Sequence, residues 1–529
     1  MSQYQRDIFM CGIAGAIGFS DADEIATRIV QGLVHRGDCD DPVTAIGNGS
    51  ALATRRLRIL DWQRAAQPQY SFDGRIAVAM NGEIYNYVEL RDGLRKQGIR
   101  FKTDCDTEVV ANLLAKWGPG AIQELNGMFS FVAISVDGEY WVARDHFGIK
   151  PLYFMRVCGG IAFSSEIRPL LAAFPDKDAV AEEFPPSTFW HNNRRLPYTP
   201  RTNSPKPSRN LRDNAKRLDN LLQQAVERRL PRDLPCAVLF GGGIDSTLIL
   251  HYAHRLNREA RPYFIGTRFG SDYEHATRFA LEHGLNLRKV PVTPQQALNV
   301  LEKVVRAVET FEPNVIRNAV FSYLLSEAVH KDGIRVALCG EGADELFCGY
   351  PEMGAALIET QSDASVRTIR NRFLGDLCRT QLLRVDRCSM IHTVETREPF
   401  LDCDVVAFAN GLPLKQLVSG AGAHENKLIL RDIYSLYPKL SSEIAHRRKV
   451  VFVEGVGMGD NSRSGPFYDY AEQHLTENDF HQLKASFRGF QLNTKEEALY
   501  LFWLSQDLDV RRVRFLKHRP AANCSAFST

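Results

Sequence analysis

The stretch CAVLFGGGIDSTLILHYAHRL, residues 236–256, passes from an apolar strand through three glycines into an apolar helix. A second stretch, IRVALCGEGADE (334–345), leads from an apolar strand into a loop that places three acidic residues within five positions. Strands that alternate with helices predict a doubly wound parallel sheet, which binds ligands at the carboxyl ends of its strands. We therefore expect both loops at the ligand-binding edge of such a sheet.

The glycine run Gly241-Gly242-Gly243 has the features of a phosphate site. Glycines let the backbone approach phosphate closely, and the N-terminus of the following helix offers N–H donors. Asp245 is placed to hold Mg²⁺ on a pyrophosphate. The loop is not a Walker A loop, because no Gly-Lys-Ser/Thr follows the glycines. It predicts a nucleotide-phosphate site of a different kind.

Outside these loops the chain divides into a strand-rich first half and a largely helical end. Residues 11–170 contain apolar or alternating runs that predict strands, with helical patterns between them, so we expect a layered α/β or α+β domain. A proline-rich, apolar-poor stretch near 192–210 predicts a linker. We predict domains at 11–190 and 213–520 joined by a linker over 191–212, with mostly helical structure beyond about Gly349. The strand patterns are CGIAGAIGF, IAVAMNGEIY, GMFSFVAISV, GEYWVARD and GGIAFSS, and the clearest helical patterns are EIATRIVQGLV and TEVVANLLAKW.

Composition excludes several classes of protein. A chain of 529 residues with a formal charge of +2 gives no reason to expect nucleic acid or an anionic membrane as a partner. Residues 1–10 lack the apolar core of a signal peptide, and no long apolar run predicts a membrane span. The eleven cysteines are scattered without a CxxC pair, which favours reduced thiols in a cytoplasmic protein.

Four features of the first half together predict a site for a free amino acid with a reactive side chain. Cys11 begins the first strand, and Asn81-Gly82 offers an amide and an N–H for an oxyanion hole. Arg56 is suited to clamp a carboxylate, and Asp106 to hold an ammonium group. Each has a plainer alternative: a buried small residue, a turn, or a solvated surface charge.

These residues resemble the class II, N-terminal-nucleophile glutamine amidotransferases through CGIAG, HRG, RRLRILD, NGEIYNY, DTEVV, GMFSFV and RDHFGIKPLY, in family order over residues 11–170. The resemblance implies an αββα sandwich. It also implies that the Cys11 thiolate attacks the glutamine amide with its own α-amino group as base, giving a γ-glutamyl thioester and ammonia. Asn81 and Gly82 would form the oxyanion hole, and Arg56, Glu83 and Asp106 would hold glutamine.

Two departures from the family pattern affect this half. The mechanism needs a free α-amine on Cys11, which ten residues precede. Either a leader is cleaved, or translation starts at Met10; we favour the second because Met10 adjoins the cysteine. The family's Arg-Gly-Pro-Asp turn appears as Arg36-Gly37-Asp38-Cys39, and the missing proline removes a fixed φ angle from this loop.

The second half resembles the synthetase part of the asparagine synthetase family through both strand-end loops, HENKLILR (424–431), RRKVVFVEGVG and TKEEALY. A further matching segment, VDRCSMIHTVETREPFLD (385–402), is also compatible with simple packing. The resemblance implies the following roles. Phe240 and Ile265 lie by adenine, and Gly241, Gly242, Gly243, Ser246, Cys339 and Gly340 surround the pyrophosphate; Asp245 and Asp344 coordinate Mg²⁺, Glu341 is the base for ammonia, and Lys427 stabilises the transition state.

The implied chemistry needs both halves. A carboxylate resists attack by ammonia until it becomes an acyl-adenylate, and ammonium is not a nucleophile, so ammonia should travel through an internal channel. We predict an amidating ligase that uses glutamine, ATP and Mg²⁺, with aspartate as the first candidate acceptor and another carboxylic acid as the alternative. A homodimer is implied by the resemblance alone. The retained Cys11 argues against the β-lactam-forming synthetases, and the retained catalytic set against a non-catalytic binding protein.

Two positions in the second half depart from relatives. Gly241 replaces the serine that opens the family's phosphate loop, which predicts weaker but retained pyrophosphate binding. Phe321-Ser322 stands where relatives commonly carry a proline near the acceptor pocket. The second change leaves the identity of the acceptor open.

Overall fold

The computed structural model describes residues 11–37, 39–56, 64–231, 234–419, 426–440, 442–447, 450–459 and 463–517. Residues 1–10 and Asp38 of the altered turn lie outside these ranges, as do parts of the motifs RRLRILD, HENKLILR and RRKVVFVEGVG. The predictions made for those residues therefore stay predictions.

The first half forms two antiparallel sheets. One has the order β11-β9-β10-β1-β4-β2, with β3 also paired to β4, and the other has the order β13-β12-β8-β7-β6-β5. The strands are β1 (Gly12–Ile17), β2 (Cys39–Asp40), β3 (Thr44–Gly47), β4 (Ser50–Arg56), β5 (Gln69–Tyr70), β6 (Ile76–Ile84), β7 (Gly127–Ser135), β8 (Tyr140–Arg144), β9 (Tyr153–Val157), β10 (Gly160–Ser164), β11 (Glu182–Glu183), β12 (Thr188–His191) and β13 (Arg194–Pro197), and the helices are α1 (Ala22–Gln31), α2 (Tyr87–Lys96), α3 (Asp106–Trp117) and α4 (Ile167–Ala172).

The two sheets pack face to face, as the alternation in β1 illustrates. Ile13 and Ile17 point into a core shared with Val132 of the other sheet, whereas Ala14 and Ala16 face the side covered by α1. Side chains alternate between the two faces of a strand, and the small alanines allow the helix to approach closely. Helices α2 and α3 cover the outer face of the second sheet. The αββα sandwich that the resemblance implies is confirmed.

The second half is built on one parallel sheet with the order β16-β15-β14-β17-β18. The order runs outward from β14 in both directions, so the chain reverses between β14 and β17, and such a reversal opens a crevice at the carboxyl ends of the strands. The strands are β14 (Cys236–Leu239), β15 (Arg261–Gly266), β16 (Arg288–Pro291), β17 (Val336–Leu338) and β18 (Glu395–Arg397).

Helices surround this sheet and form most of the chain beyond Gly349, as the sequence predicts. Short 3-10 turns connect several of them. The helices are α5 (Leu211–Arg229), α6 (Ile244–Leu256), α7 (Ser271–Glu282), α8 (Pro294–Asn299), α9 (Leu301–Val308), α10 (Pro313–Lys331), α11 (Ala343–Leu346), α12 (Pro351–Thr360), α13 (Asp363–Asp376), α14 (Gln381–Met390), α15 (Cys403–Gly411), α16 (Leu428–Tyr434), α17 (Ser442–His446), α18 (Phe452–Val456), α19 (Pro466–His474), α20 (Glu477–Ser486) and α21 (Lys495–Leu504). None of the described helices combines the length and apolar character that a membrane crossing requires.

The segment predicted as a linker, 191–212, begins inside the first half. Strand β13 pairs with β12 over Thr188↔Pro197 to His191↔Arg194, so the sheet extends to Pro197. The side chains of β13 are mostly exposed, which is typical of an edge strand and explains why no apolar pattern marks it. At the other end, α5 begins at Leu211 behind Asn210, whose side chain accepts a hydrogen bond from the Asp213 N–H and caps the helix.

Candidate active sites

Cys11 directly precedes β1, the strand that pairs with β4. Its backbone carbonyl accepts a hydrogen bond from Arg36 Nε at 3.3 Å, and the next residues are anchored by the Ile13 N–H, which donates to Ser165 Oγ at 3.0 Å. Cys11 is in no disulfide with the described residues, and the residue is partly exposed. The fold therefore fixes the backbone around Cys11 and leaves the residue partly exposed.

Asn81 and Gly82 lie in β6, in the sheet that packs against β1. Asn81 is 1% exposed, and its Nδ2 has no hydrogen-bond partner among the described residues. A buried donor without a partner is costly unless a ligand uses it. Gly82 has φ +137°, and a Cβ atom there would stand 2.0 Å from the Met128 carbonyl oxygen. An amide donor and an obligatory glycine are thus adjacent, the arrangement an oxyanion hole requires.

The residues expected to hold glutamine are buried and charged. Arg56 donates from Nε to Asp41 Oδ2 at 2.9 Å, and the β1–β4 register, which pairs Gly12 with Arg55, brings this end of β4 alongside Cys11. Burial raises the pKa of Asp106 to about 6, although its carboxylate accepts the Ile84 N–H at 2.8 Å. Arg56 therefore lies beside Cys11, and Asp106 lies beside β6, the strand that carries Asn81 and Gly82.

Glu83 connects this site to the second half. Its Oε2 lies 3.4 Å from an NH2 of Arg397, which also donates from Nε to Glu395 at 2.7 Å. Burial raises the pKa of Glu83 well above its usual value, and Arg397 opposes that shift. An ammonium group beside Glu83 and Asp106 would offset the same burial cost, which fits the role implied for these acids.

The glycine-rich loop after β14 forms the start of the second site. Gly242 has φ +67°, and a Cβ atom there would lie 2.8 Å from the Ala276 nitrogen. The Gly241 N–H donates to Ser246 Oγ at 3.3 Å, which holds the loop against the start of α6. Phe240 and Ile265, at 2% and 3% exposure, form an apolar wall beside it. The loop therefore presents backbone next to an apolar surface, as a nucleotide requires.

The loop after β17 meets the first loop at the chain reversal. A Cβ atom on Gly340 would lie 3.0 Å from Asp245 Cβ, so the two loops touch. The Cys339 N–H already donates to the Arg397 carbonyl at 3.1 Å within the sheet. Both loops line a cavity of about 540 Å³. The structure thus brings together the two loops that the sequence singles out.

Three charged residues converge in this cavity. Lys427 Nζ lies 2.6 Å from Asp245 Oδ2 and 2.6 Å from Asp344 Oδ1, and the lysine is 4% exposed. Lys427 directly precedes α16 in the left-handed region at φ 61°. Three elements distant in sequence therefore place one ammonium group between two carboxylates.

Glu341 has a partner that the sequence analysis did not identify. Its Oε1 accepts a hydrogen bond from an NH2 of Arg384 at 2.6 Å, and the same guanidinium donates to Ser322 Oγ at 2.8 Å. Arg384 immediately precedes the segment 385–402, and only the packing of α14 on α10 brings it to Glu341. Position in sequence gives no signal for this pair.

Two further site residues were also missed. Arg447 donates to the Gly242 carbonyl at 3.2 Å and pairs with Asp272, so it holds the phosphate loop in place. Gly349 lies where a Cβ atom would stand 2.0 Å from Asp344 Oδ1 and 2.2 Å from Lys427 Cε. In the sequence, this position is marked only by the presence of a glycine after the acidic loop.

A buried ion network joins the halves between the two sites. Arg36 donates to Glu166 at 2.8 Å and to Asp386 at 2.9 Å, and Lys150 lies 3.4 Å from Asp386. Burial alone would raise the pKa of Glu166, but Arg387 and His35 hold it well below its usual range. The carbonyl of Cys11 is therefore one hydrogen bond from a network that ends on α14.

Comparisons with known proteins match both halves. A glutamine amidotransferase domain family matches residues 10–200, and an asparagine synthase family matches residues 217–372 and 358–500. A probable glutamine-hydrolysing asparagine synthetase of Schizosaccharomyces pombe is 30% identical and covers 94% of this chain and 93% of its own length. The chain belongs to the glutamine-hydrolysing asparagine synthetase family.

Plant members of this asparagine synthetase family show the same likeness. A glutamine-hydrolysing asparagine synthetase of Oryza sativa is 30% identical over 90% of this chain and 82% of its own length, and one of Arabidopsis thaliana is 29% identical over 93% and 85%. Among solved structures, glutamine phosphoribosylpyrophosphate amidotransferase from B. subtilis matches 49% of the chain at 20% identity with a TM-score of 0.31, too weak a likeness to bear on the fold.

Proposed function

We propose that this protein converts aspartate to asparagine, using glutamine as nitrogen donor and ATP as activating substrate. The carrying observation is the meeting of Asp245, Asp344, Lys427 and Glu341 in one cavity at the chain reversal of the sheet. The names of the relatives supply the acceptor, because the relatives described above are named as glutamine-hydrolysing asparagine synthetases.

In the first site, Cys11 Sγ attacks the glutamine amide carbon. The α-amino group of Cys11 takes the thiol proton and passes it to the leaving nitrogen, so the C–N bond breaks and ammonia departs. Asn81 Nδ2 and the Gly82 N–H stabilise the oxyanion. Water then attacks the thioester and releases glutamate. The free α-amine requires that residues 1–10 be absent from the working enzyme.

In the second site, an oxygen of the acceptor carboxylate attacks the α-phosphorus of ATP and pyrophosphate leaves. Ammonia then attacks the acyl-adenylate carbon, Glu341 accepts a proton from the nitrogen, and AMP departs. Arg384 holds the Glu341 carboxylate in the cavity wall, because its guanidinium lies 2.6 Å from that carboxylate. Lys427 supplies the positive charge that the departing phosphates need.

Asp245 and Asp344 fit Mg²⁺ that arrives with the nucleotide. No group of three or more ligating side chains exists among the described residues. Mg²⁺ is commonly held by one or two carboxylates together with substrate phosphates, which is the donor set present here. When bound, Mg²⁺ neutralises charge on the pyrophosphate, while Lys427 holds the two carboxylates together in its absence.

A different carboxylic acid is the second candidate acceptor. Ser322 lies in the cavity wall as a hydrogen-bond acceptor for Arg384, and Phe321 is fully buried against Phe452 and Phe467. Relatives commonly carry a proline in this part of the wall, where an acceptor would lie beside Glu341. The proposal also assigns the glutaminase to 11–197 and the synthetase to 211–517. The homodimer rests on the resemblance, and the cytoplasmic location rests on cysteine usage.

Product analysis tests the proposal. Protein that begins at Cys11 is supplied with glutamine, ATP, Mg²⁺ and aspartate, and amide, AMP and pyrophosphate are quantified. We expect asparagine in equal amounts with AMP and pyrophosphate. Glutamine hydrolysis without asparagine, followed by AMP formation with another carboxylic acid, would replace aspartate by the second candidate. Absence of AMP formation with any acid would contradict the proposed reaction.

A further inference from the structure

Strand β18 contacts both sites. Arg397 reaches Glu83 of the first site at 3.4 Å, and its backbone carbonyl accepts the N–H of Cys339, which opens the acidic loop of the second site. Thr396 lines the cavity. Glu398 follows directly after the strand, between Arg397, which contacts the first site, and Cys339, which lies in the second.

Glu398 is an unexplained buried acid. It is 2% exposed, and its Oε2 has no hydrogen-bond partner among the described residues. Its Oε1 has a single weak contact, from Cys339 Sγ at 4.0 Å. Burying a carboxyl group without partners is costly, so a ligand that uses this oxygen would offset the cost.

The nearby cations do not need Glu398 as a counter-ion. Lys150 lies 3.4 Å from Asp386, and Arg229 donates to Asp402 at 2.7 Å. Each cation is therefore already paired with another acid. Neither cation therefore depends on Glu398 alone for a counter-charge.

The surroundings of Glu398 favour its neutral form. Burial raises its pKa to about 8; Lys150 and Arg229 oppose the shift, and Asp145 and Asp386 add to it. Two further titratable neighbours, Cys339 and Tyr85, stay neutral because burial raises the pKa of each well above its usual value. Below pH 8 the group is therefore a carboxylic acid, with one O–H donor and acceptor oxygens.

We propose that Glu398 is a positioning residue that hydrogen-bonds ammonia on its way from Cys11 to Glu341. The inference rests on the proposed function, because it needs a glutaminase that supplies a synthetase. A neutral carboxylic acid donates to the ammonia nitrogen and accepts from one of its N–H groups. Burial opposes transfer of the proton to ammonia, because the transfer would create a buried ion pair. The ion network from Cys11 through Arg36 and Asp386 to Lys150 lies between the same two sites.

Two substitutions at Glu398 test this role. Glu398→Leu keeps the approximate size of the side chain and removes its hydrogen bonding. Glu398→Gln keeps both the size and the hydrogen bonding. The readout is the coupling ratio, meaning amide product formed per glutamate released. We expect Glu398→Leu to lower the ratio about three- to tenfold, the effect of one hydrogen bond, while glutaminase activity and synthesis from added ammonium chloride change less than about twofold. Glu398→Gln keeps the ratio at pH 7.

The pH profile separates this role from a structural one. As pH rises through about 8, wild-type Glu398 loses its proton and no longer has an O–H to donate to the ammonia nitrogen, so the coupling ratio falls. Glu398→Gln does not titrate and holds its ratio over the same range. Identical pH profiles of the two proteins, or an unchanged ratio in Glu398→Leu, would overturn the proposal. If Glu398→Leu does not fold, the profile of Glu398→Gln decides alone.

Failure of this inference is distinguishable from failure of the proposed function. If wild-type protein makes amide from added ammonia but its coupling ratio ignores both substitutions and pH, only the role of Glu398 is wrong. If wild-type protein makes no amide and no AMP with any carboxylic acid, the proposed function is wrong and the inference falls with it.

Discussion

Cys11 and Asn81 illustrate how single residues define the first site. The Cys11 backbone is fixed by Arg36 and the strand, and the buried Asn81 amide has an Nδ2 without a partner among the described residues. The sequence analysis selected Cys11 and Asn81 because a nucleophile, an amide and a glycine occur together in the motifs of one family. It could not show that Gly82 is obligatory, which follows from the carbonyl of Met128 on the neighbouring strand.

Replacing the nucleophile separates the two activities. In protein that begins at residue 11, Cys11→Ala should lower glutamine-driven amide synthesis at least about a thousandfold, as loss of a covalent nucleophile does. Synthesis from added ammonia should persist, because the second site is untouched. Steady-state rates with each nitrogen source measure this, with Cys158→Ala as control because that thiol is exposed. Equal loss with both nitrogen sources would refute separate sites.

Restoring the missing hydroxyl at position 241 should tighten nucleotide binding. A Cβ atom on Gly241 meets only Asp272 Oδ2, at an ordinary 3.5 Å. Gly241→Ser therefore adds one donor to the pyrophosphate without strain, and the KM for ATP should fall about two- to tenfold.

Gly242→Ser is the contrasting variant for this measurement. Its φ of +67° and the 2.8 Å approach to the Ala276 nitrogen disfavour any side chain, so the KM for ATP should rise. A KM that rises in both variants would show that the loop does not bind phosphate as described.

At the level of elements, the sequence predicted the strands and loops with strong local patterns. Apolar runs gave β14 and β17, and glycines and acids marked the loops that follow them. The sequence did not predict β13, because its exposed side chains carry no apolar pattern. It also did not predict the role of Arg384, which reaches Glu341 only through packing of α14. In the segment 385–402, which the sequence left compatible with simple packing, charged residues form buried ion pairs such as Arg387–Glu309 at 2.9 Å.

The contact between the acidic loop and the residue before α16 depends on Gly349. A methyl group there would meet Asp344 and Lys427 at 2.0 and 2.2 Å, so Gly349→Ala should separate the lysine from the carboxylate. We expect pyrophosphate release to fall at least about tenfold, the effect of one lost charged hydrogen bond, with glutaminase activity unchanged.

Gly375→Ala is the matched control for that substitution. Gly375 lies in α13, and among the described residues no atom outside its own stretch of helix would lie within 4 Å of a Cβ atom added there. Alanine is also the better helix former. Its activity should be unchanged and its Tm equal or higher. Normal pyrophosphate release in Gly349→Ala would contradict the arrangement of Lys427 between the two carboxylates.

At the scale of the whole molecule, Asp386 holds the halves together. It is 5% exposed and pairs with Arg36 and Lys150 of the first half. Asp386→Asn leaves two buried cations without this charge, and breaking such a pair costs about 3–5 kcal/mol of the free energy of unfolding. Thermal unfolding and the coupling ratio should both decrease.

Asp137→Asn serves as the control, because Asp137 pairs with Arg75 while their side chains are 58% and 60% exposed. Exposed pairs contribute at most about 1 kcal/mol, so Tm should change little. Equal effects of the two substitutions would show that the buried network has no special role in joining the halves.

The central claim is that one chain transfers the glutamine amide nitrogen to an adenylated carboxylate. The direct measurement is mass spectrometry of the products from ¹⁵N-amide glutamine and aspartate labelled with ¹⁸O in its carboxylates. We predict asparagine that carries ¹⁵N and AMP that carries one ¹⁸O, because the acyl oxygen leaves with the phosphate. Asparagine without ¹⁵N, or unlabelled AMP, would contradict the account.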